Sequence, residues 1–433
     1  MTISSSLYAG VAGLNANATR LATISDNIAN SSTYGYKRAE AEFQSLVLSG
    51  NGGAYSAGGV TVNTSRAIDE RGPLITTSSP TDLAVAGGGM LPVTGEATLA
   101  SNVGNYPLSL VTTGSFEPNA DGVLATNSGL VLMGWPAGTD GSVPSYPRDS
   151  VQGLEPVTIN YNEFFADPTT AIDLALNLPA SETAAGASGD PIQMSVEYFG
   201  NLGTSETLSI TYTPSVPTTG QSNTWSMTVR DSASAGAVIG EYTLAFDPTR
   251  GGGGTLDTVT TISGGIYNPA TGVIALSVGG GPLDLDIGMV GEQDGFTQLS
   301  DTFAPVTISK NGSQVATLTG VEVDPNGFVH ALYDSGVSRV IYQVPLVDVP
   351  NTNGLISQDN QSYQISQESG PFFLWDASSG PVGEVVSFAL EESATDTAAE
   401  LTNLIVTQRA YSSNAKVIQT VDEMLQETTN IKR

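Results

Sequence analysis

A helical pattern of apolar residues at each end of the chain is the feature that most constrains its fold. Near the N-terminus, apolar residues lie seven positions apart at Leu7, Leu14, Leu21 and Ile28, interleaved with Ile3, Val11, Ala18 and Ile24. Near the C-terminus, the same spacing is shared by Leu404, Tyr411, Ile418 and Leu425, flanked by Leu401, Ala415, Val421 and Met424. Such spacing places the residues on one face of a helix. The pattern therefore predicts two amphipathic helices at opposite ends of the sequence.

Almost everything between these helices has the pattern of β-strands. Apolar and polar residues alternate over short runs, and Gly, Pro, Asn and Ser bound each run, which is typical of half-buried strands. The 49 Gly and 23 Pro of the chain supply the turns. The clearest runs are 60–66, 155–162, 191–199, 206–214, 223–231 and 272–280. Asn311-Gly312, between two further runs, predicts a β-hairpin.

Negative charge is concentrated in the β-rich part. The chain has a net charge of −29, and residues 51–390 carry 33 acidic and seven basic groups. The ends are nearly neutral, so they can pack against copies of themselves. The acidic residues 51–390 instead repel the same region of another copy and favour contact with solvent. This charge argues against binding to nucleic acid or to an anionic membrane surface. The sequence has no run of 18 or more consecutive apolar residues, so we predict no membrane insertion.

The two terminal helices need partners. A single amphipathic helix is marginal in water, and pairing the two ends covers only one stripe on each. Ile405, Val406 and Val417 lie off the main C-terminal stripe and still need cover. We therefore expect identical neighbouring subunits to complete these surfaces. The alternative is a two-helix stalk that docks on the β-rich part of its own chain.

The residue types that most catalytic sites require are scarce. The chain has no cysteine, which excludes disulfides, thiolate metal sites and cysteine nucleophiles. His330 is the only histidine. The loops 118–122 and 324–328 do not fit a calcium-binding loop, and the Gly runs 86–89 and 251–254 lack the Lys-Ser/Thr of a phosphate loop. We predict no enzyme activity, no catalytic residues, no cofactor and no metal site.

Four stretches carry a recognisable set of motifs. They are LATISDNIANSSTYGYKRAEAEF (21–43), SSPTDLAVAGGGMLPV (78–93), TTGSFEPNADGVLATNSGLVLMGWP (112–136) and QRAYSSNAKVIQTVDEMLQETTNIKR (408–433). In this order they resemble the axial proteins of the bacterial flagellum, the family of rod and hook proteins. The length of the chain and its large insertion favour the hook proteins within that family. One departure is Met90 and Leu91, where the family usually has two aromatic residues.

The resemblance implies a mainly β fold with discontinuous α-helical ends. The N- and C-terminal helices would pair as a coiled-coil-like inner domain, with two β-rich domains inserted between them. In residue numbers, this is a helical inner-tube domain of 1–48 with 394–433, a middle domain of 49–150 with 296–393 that includes the connector, and an outer β-barrel or sandwich of 151–295. The connector includes the Gly-rich stretch 49–59.

The resemblance also implies a function: a structural subunit that self-assembles into the curved, flexible tube joining motor rod and filament. The inferred subunit interface comprises Leu7, Leu14, Leu21, Ile24, Ile28, Leu404, Tyr411, Ile418, Val421 and Leu425. Tyr34, Gly35, Tyr36 and Phe43 would form the turn that leaves the inner wall and anchor the connector.

Partners and location follow from the same resemblance. The chain would form a homopolymer in the extracellular hook region of the flagellum, next to the distal rod, hook cap and hook–filament junction proteins. The start MTISSSLYAG lacks the features of a cleaved signal peptide, so export would use the flagellar type III apparatus without cleavage. Two alternatives stay open at this point: a distal rod or hook-associated protein, and a secreted β-rich adhesin or binding module.

Overall fold

The structure, a computed structural model, describes residues 3–46, 58–99, 106–138, 141–161 and 164–431. It contains the long helices α1 (Ile3–Ala29) and α3 (Thr397–Ile431) and the four-residue α2 (Glu96–Leu99). Two short 3₁₀ helices cover Ala180–Thr183 and Thr352–Gly354. The long helices occupy the two segments that the apolar spacing predicted. Most of the Gly-rich stretch 49–59 lies outside the described residues.

The strands of the first part of the chain are β1 (Ala39–Ser45), β2 (Val60–Arg66), β3 (Leu74–Thr76), β4 (Asp82–Ala86), β5 (Leu91–Gly95), β6 (Ser109–Val111), β7 (Thr113–Ser115), β8 (Glu117–Pro118), β9 (Leu124–Ala125), β10 (Leu130–Pro136) and β11 (Glu155–Pro156). Those of the middle are β12 (Phe164–Asp167), β13 (Ala171–Leu178), β14 (Ile192–Phe199), β15 (Ser205–Pro214), β16 (Thr224–Asp231), β17 (Ala237–Phe246), β18 (Leu256–Ser263), β19 (Tyr267–Asn268), β20 (Val273–Val278), β21 (Gly281–Asp286), β22 (Thr297–Gln298) and β23 (Ala304–Lys310). The last are β24 (Ser313–Val323), β25 (Phe328–Tyr333), β26 (Ser338–Gln343), β27 (Leu346–Asp348), β28 (Ile356–Ser357), β29 (Tyr363–Gln364), β30 (Phe373–Trp375), β31 (Glu384–Ser387) and β32 (Ala389–Glu391).

The chain divides into two compact units. The first comprises Met1–Asn160, Gly320–Leu332 and Ser338–Arg433, and so contains both long helices. Its sheet follows the order β26-β10-β5-β6-β29-β28. Trp135 and Met133 on β10 and Leu110 on β6 belong to the buried core of this unit. Two elements close to the helices are the hairpin of β1 and β2 and the pairing of β3 with β32.

The second unit, Tyr161–Thr319 with Tyr333–Val337, is a β-sandwich. One sheet is the antiparallel meander β14-β15-β16-β17-β18, and the other follows the order β19-β20-β21-β13-β22, with β23 also paired to β13. Apolar residues that alternate along both sheets form one buried cluster, which includes Trp225, Tyr212, Tyr242, Leu285 and Leu174. The period-two pattern in the sequence places these side chains inward.

Most of the predicted strand runs match strands closely. The run 60–66 is β2, and the runs 191–199, 206–214, 223–231 and 272–280 contain β14, most of β15, β16 and β20. The run 155–162 was predicted too long, because β11 covers only Glu155–Pro156.

The hairpin predicted at Asn311-Gly312 is wrong. The strands on either side belong to different sheets, since β23 pairs with β13 and β24 pairs with β12. The Asn311 Oδ1 atom accepts hydrogen bonds from the backbone N–H groups of Thr170 and Ala171, at 2.9 and 3.0 Å. The dipeptide therefore docks against the start of β13, and the chain changes sheets there instead of folding back.

The predicted fold class is confirmed: the molecule is mainly β, and its two terminal helices pack against each other. The three-domain division stays a prediction. The second compact unit starts at Tyr161 and extends beyond residue 295 to Thr319, because β22 and β23 pair with β13.

Candidate subunit interface

The terminal helices pack closely where two glycines of α1 face α3. A Cβ atom added at Gly10 would lie 3.1 Å from Cγ1 of Ile418, and one added at Gly13 would lie 2.9 Å from Nδ2 of Asn414. Glycine at these positions lets the two backbones approach closely. Ile418 and Asn414 of α3 therefore pack directly against the glycines of α1.

The structure places the ten predicted interface residues in three environments. Ile24 and Val421 are buried in the described chain, at 3% and 7% exposure. Tyr411 and Leu425 are exposed. The half-buried residues are Leu7, Leu14, Leu21, Ile28, Leu404 and Ile418. The heptad stripe thus faces the α1–α3 seam in part and solvent in part.

A second apolar stripe on α3 is exposed. Val406, Val417 and Met424 are 54%, 46% and 52% exposed. Steps of 11 and 7 residues return to nearly the same angle on a helix with 3.6 residues per turn, so these three side chains share one face. Val417 also lines an open groove of ≈ 610 Å³ together with Ser6, Ser412, Ser413, Lys416, Thr420 and Val421.

Further apolar side chains are exposed elsewhere on the helices. Leu401 and Ile405 are each 50% exposed near the base of α3, and Tyr8 and Val11 are exposed on α1. Contiguous exposed apolar surface of this kind marks an interaction surface. Both long helices therefore present faces that nothing in the described chain covers.

Side chains end α1 by bonding to its last carbonyl groups. Asn30 Nδ2 donates to the carbonyl of Asp26 at 2.9 Å, and Ser31 Oγ donates to that of Ile28 at 2.9 Å. Short polar side chains compete in this way with the helical hydrogen bonds. Gly35 follows at φ +69°, a left-handed conformation that favours glycine. The sequence SDNIANSSTYGYKR thus turns the chain out of the helix.

Asn27 connects this turn to the start of α3. Its Nδ2 donates to the Ala39 carbonyl at 2.9 Å and to Glu400 Oε1 at 3.0 Å. Its Oδ1 accepts from the Ala39 N–H at 2.8 Å and from the Tyr36 hydroxyl at 3.1 Å. The amide is 1% exposed, so these four bonds form in a site shielded from water.

A buried ion pair lies directly beneath this turn. Lys37 Nζ is 2.6 Å from Glu391 Oε1, and the side chains are 0% and 1% exposed. Nζ also donates to the Glu70 carbonyl at 2.6 Å, and the Gly72 N–H donates to Glu391 Oε1 at 2.7 Å. Burial lowers the pKa of Lys37, while the neighbouring Glu391 carboxylate opposes that shift.

Tyr36 is buried inside the subunit at 4% exposure. Its hydroxyl donates to Asp26 Oδ2 at 3.0 Å, and the guanidinium of Arg66 lies 5.1 Å from the ring centroid. Burial and the hydrogen bond with Asp26 raise the pKa of the phenol to about 12. The hydroxyl therefore keeps its proton and stays a donor at neutral pH.

The other two aromatic residues of the connector point outward. Tyr34 is 50% exposed and Phe43 is 42% exposed. The guanidinium of Arg20 lies 5.7 Å from the Phe43 ring centroid. Only Tyr36, of the three aromatic residues, packs within the described chain as an anchor.

Sequence reasoning missed the partners in this network. Asn27 and Lys37 lie within the motif of residues 21–43, Glu391 lies on β32 and Glu400 lies on the first turn of α3. Their spacing along the sequence gives no sign that they meet, since Lys37 and Glu391 are 354 positions apart. The one signal in the sequence was the position of Lys37 directly after the turn of Tyr34, Gly35 and Tyr36.

Comparison with known proteins identifies the family. Residues 386–431 match the family model described as flagellar basal body rod FlgEFG protein C-terminal, and residues 7–37 match flagella basal body rod protein. Over its full length the chain is 35% identical to the flagellar hook protein FlgE of Brucella suis, and the match covers 100% of both chains. The chain belongs to the flagellar hook protein family. The resemblance in the four motifs is thereby confirmed.

Other hook proteins also match this chain over nearly its whole length. The FlgE protein of Rhizobium meliloti is 32% identical with full coverage of both chains, and that of Escherichia coli is 27% identical with 98% of each chain covered. A crystal structure of Helicobacter pylori FlgE2 aligns with 72% of this chain and 98% of its own, at 13% identity and a TM-score of 0.46. Lys37 lies in the range that one family model matches, and Glu391 lies in the range that the other matches.

The described ranges hold neither a cluster suited to a metal ion nor a helix suited to a membrane. No group of three or more His, Cys, Asp or Glu residues there is arranged to hold a metal ion. No helix in those ranges has the length and apolarity needed to cross a lipid bilayer. His330 lies 3.5 Å from Asp324 on partly exposed surface.

Proposed function

We propose that this chain is the structural subunit of the flagellar hook, which self-assembles into a curved and flexible tube between motor rod and filament. The observation that carries this proposal is the exposed apolar surface on both terminal helices, in a chain related over its full length to hook proteins. Helices that cannot bury their apolar faces alone gain most of their stability from packing. Identical neighbours supply that packing in a polymer.

In this proposal the terminal helices form the inner wall of the tube. The inner domain is 1–48 with 394–433, the middle domain is 49–150 with 296–393, and the outer domain is 151–295. The near neutrality of the helical ends supports close packing of copies. The acidic β-rich part would face solvent in the outer layers.

The proposed contacts between subunits use both stripes of the helices. Leu7, Leu14, Leu21, Ile24, Ile28, Leu404, Tyr411, Ile418, Val421 and Leu425 form the predicted interface. The exposed stripe of Val406, Val417 and Met424 extends it. Ile24 and Val421 are buried already, so they act by keeping the two helices together, and the exposed residues meet the neighbour.

The connector is proposed to join the inner wall to the β-rich layers. Gly35 supplies the turn and Tyr36 holds it to the base of α1 through Asp26 and Asn27. Tyr34 and Phe43, both exposed, would contact neighbouring subunits. The three aromatic residues predicted together as connector anchors thus have separate proposed roles.

The remaining assignments concern partners and export. We propose contacts with the distal rod, the hook cap and the hook–filament junction proteins at the ends of the polymer. Export would use the flagellar type III apparatus without cleavage of the N-terminus. The role is structural, without a catalytic centre, a cofactor or a metal.

A truncation tests the proposal. The full chain and a form lacking residues 425–433 are compared by sedimentation, electron microscopy and circular dichroism across a concentration series. The full chain is expected to form tubes and to gain helical signal as it does so. The truncated chain is expected to stay soluble with its β signal intact. Normal tubes from the truncated chain, or a full chain with complete helical signal as a dilute monomer and no polymer, would contradict the proposal.

A further inference from the structure

The segments that join the two long helices to neighbouring strands cross at one point in the first unit. The Gly35 N–H donates to the carbonyl of Glu391 at 2.8 Å, and the Ala394 N–H donates to the carbonyl of Tyr36 at 3.0 Å. Residues 30–38 link α1 to β1, and residues 392–396 link β32 to α3. The crossing is therefore the common root of both helices.

The Lys37–Glu391 ion pair lies at this root and joins it to a third segment. Lys37 Nζ donates to the Glu70 carbonyl, and Glu391 Oε1 accepts from the Gly72 N–H. Arg71 Nη1 lies 4.0 Å from Glu391 Oε2. Glu391 also lies on β32, which pairs with β3. The pair thus ties the root to the β-rich part of the same unit.

Stability alone gives no reason for such a pair. Burial of two charges carries a desolvation cost, and well-packed apolar residues of similar volume are often as stable or more stable. An ion pair with these fixed donors and acceptors differs from an apolar contact in being directional. It holds Lys37, residues 70–72 and Glu391 in one relative arrangement.

We propose that Lys37 and Glu391 are positioning residues for assembly. They fix the direction in which the α1–α3 pair leaves the β-rich part of the first unit, so that the exposed helix faces of successive copies meet in register. This inference rests on the proposed function, because direction matters only where copies must pack along a shared axis. Asn27 and Glu400 also connect the two helices, through a 3.0 Å hydrogen bond that does not involve β3 or β32.

The first test replaces both charges together. K37M/E391L removes the ion pair and keeps an apolar contact of similar volume, while K37M and E391Q each leave one partner unmatched. The double variant is expected to melt at or above the temperature of the parent chain. Its critical concentration for tube formation is expected to rise at least tenfold, or its tubes to lose uniform diameter. Tubes that form at the parent concentration with the parent geometry would overturn the proposal.

The second test measures direction in the monomer. The chain has no cysteine, so spin labels can be placed on exposed positions by N127C in the β-rich part of the first unit and Q408C on α3. The parent chain is expected to give a narrow distance distribution by pulsed electron resonance, and K37M/E391L a distribution at least twice as wide. Equal widths would overturn the proposal. If the double variant does not fold, the same comparison uses E391Q, which keeps the acceptor for Gly72 N–H.

The two proposals fail separately. A parent chain that never polymerises would contradict the proposed function, while the distance measurement on the monomer still tests the role of the ion pair. If the parent chain polymerises, and the double variant has the same width of distance distribution and assembles equally well, only the role proposed for Lys37 and Glu391 is contradicted.

Discussion

Asn27 on α1 donates a 3.0 Å hydrogen bond to Glu400 on the first turn of α3, from a position 373 residues away in the sequence. Glu400 is 3% exposed and Asn27 is 1% exposed, so the bond is shielded from solvent. It joins the C-terminal end of one terminal helix to the N-terminal end of the other. The two ends of the chain are therefore held together by a specific polar contact as well as by apolar packing.

Removal of the Asn27 side chain should destabilise the helical part of the first unit. N27A leaves the Ala39 N–H, the Ala39 carbonyl and Glu400 without this partner, which costs about 2–3 kcal/mol in a buried site. Urea unfolding followed by helical circular dichroism measures the change. In a double-mutant cycle with E400A, we expect a coupling of about 1 kcal/mol or more, because the hydrogen bond is buried.

The matched control for N27A is S25A. Ser25 is exposed on the same helix, and its hydroxyl bonds only to the carbonyl of Leu21 in the described chain. Its loss should change the free energy of unfolding by less than about 0.5 kcal/mol. Equal effects from N27A and S25A would contradict the role given to Asn27.

Gly35 should not tolerate a side chain. Its φ of +69° disfavours other residues, and an added Cβ would lie 3.0 Å from Cγ2 of Thr113. We expect G35A to lower the free energy of unfolding of the first unit by about 1–2 kcal/mol or more. Thermal melting measures the effect.

The control for G35A is G320A, at a glycine in β24 where an added Cβ meets nothing within 4 Å. Alanine within a strand is neutral or better than glycine, so no loss is expected. A G35A chain as stable as the G320A chain would show that the turn after α1 is not held in the left-handed conformation.

The second unit should lose stability in acid through Asp231. Burial acts to raise the pKa of this carboxyl, but hydrogen bonds from Ser234, Tyr198 and the backbone N–H groups of Gly279 and Ala233 lower it below its ordinary value of 3.8. A lowered pKa in the folded state adds stability above pH 3.8, and that stability is lost as the pH falls through the lowered value. D231N should be less stable than the parent chain at pH 7, and the gap should shrink below pH 3.8.

Chemical unfolding at a series of pH values measures this gap. D257N is the control, because Asp257 is exposed on β18. The control should follow the parent chain at every pH. A gap between D231N and the parent chain that stays constant from pH 7 to pH 2 would contradict the assignment to Asp231.

Local patterns in the sequence predicted the elements well. The seven-residue spacing located α1 and α3, and Asp396 caps α3 locally by accepting from the N–H groups of Ala398 and Ala399. These features depend on residues within one or two helical turns. For the same reason, the alternation along β14 to β17 was readable from the sequence alone.

Contacts between distant segments could not be predicted in the same way. Asn311-Gly312 has the local pattern of a hairpin, yet the Asn311 side chain bonds to Thr170, 141 residues earlier. Lys37 and Glu391, 354 positions apart in the sequence, likewise meet only in the folded chain, where β3 pairs with β32. The interface residues fall between these cases: their helical stripe was predictable, whereas the close approach of the helices at Gly10 and Gly13 and the exposure of Val406, Val417 and Met424 required the packed structure.

Tube assembly by a V406S/V417S/M424S chain is the most direct test of the central claim, that the exposed faces of the terminal helices are completed by identical neighbours. The control is V238S/I262S, which changes exposed apolar residues of the second unit. Electron microscopy and sedimentation should find tubes from the parent and control chains, and only folded monomer from the triple variant at the same concentration. Tubes of parent geometry from the triple variant would contradict the account.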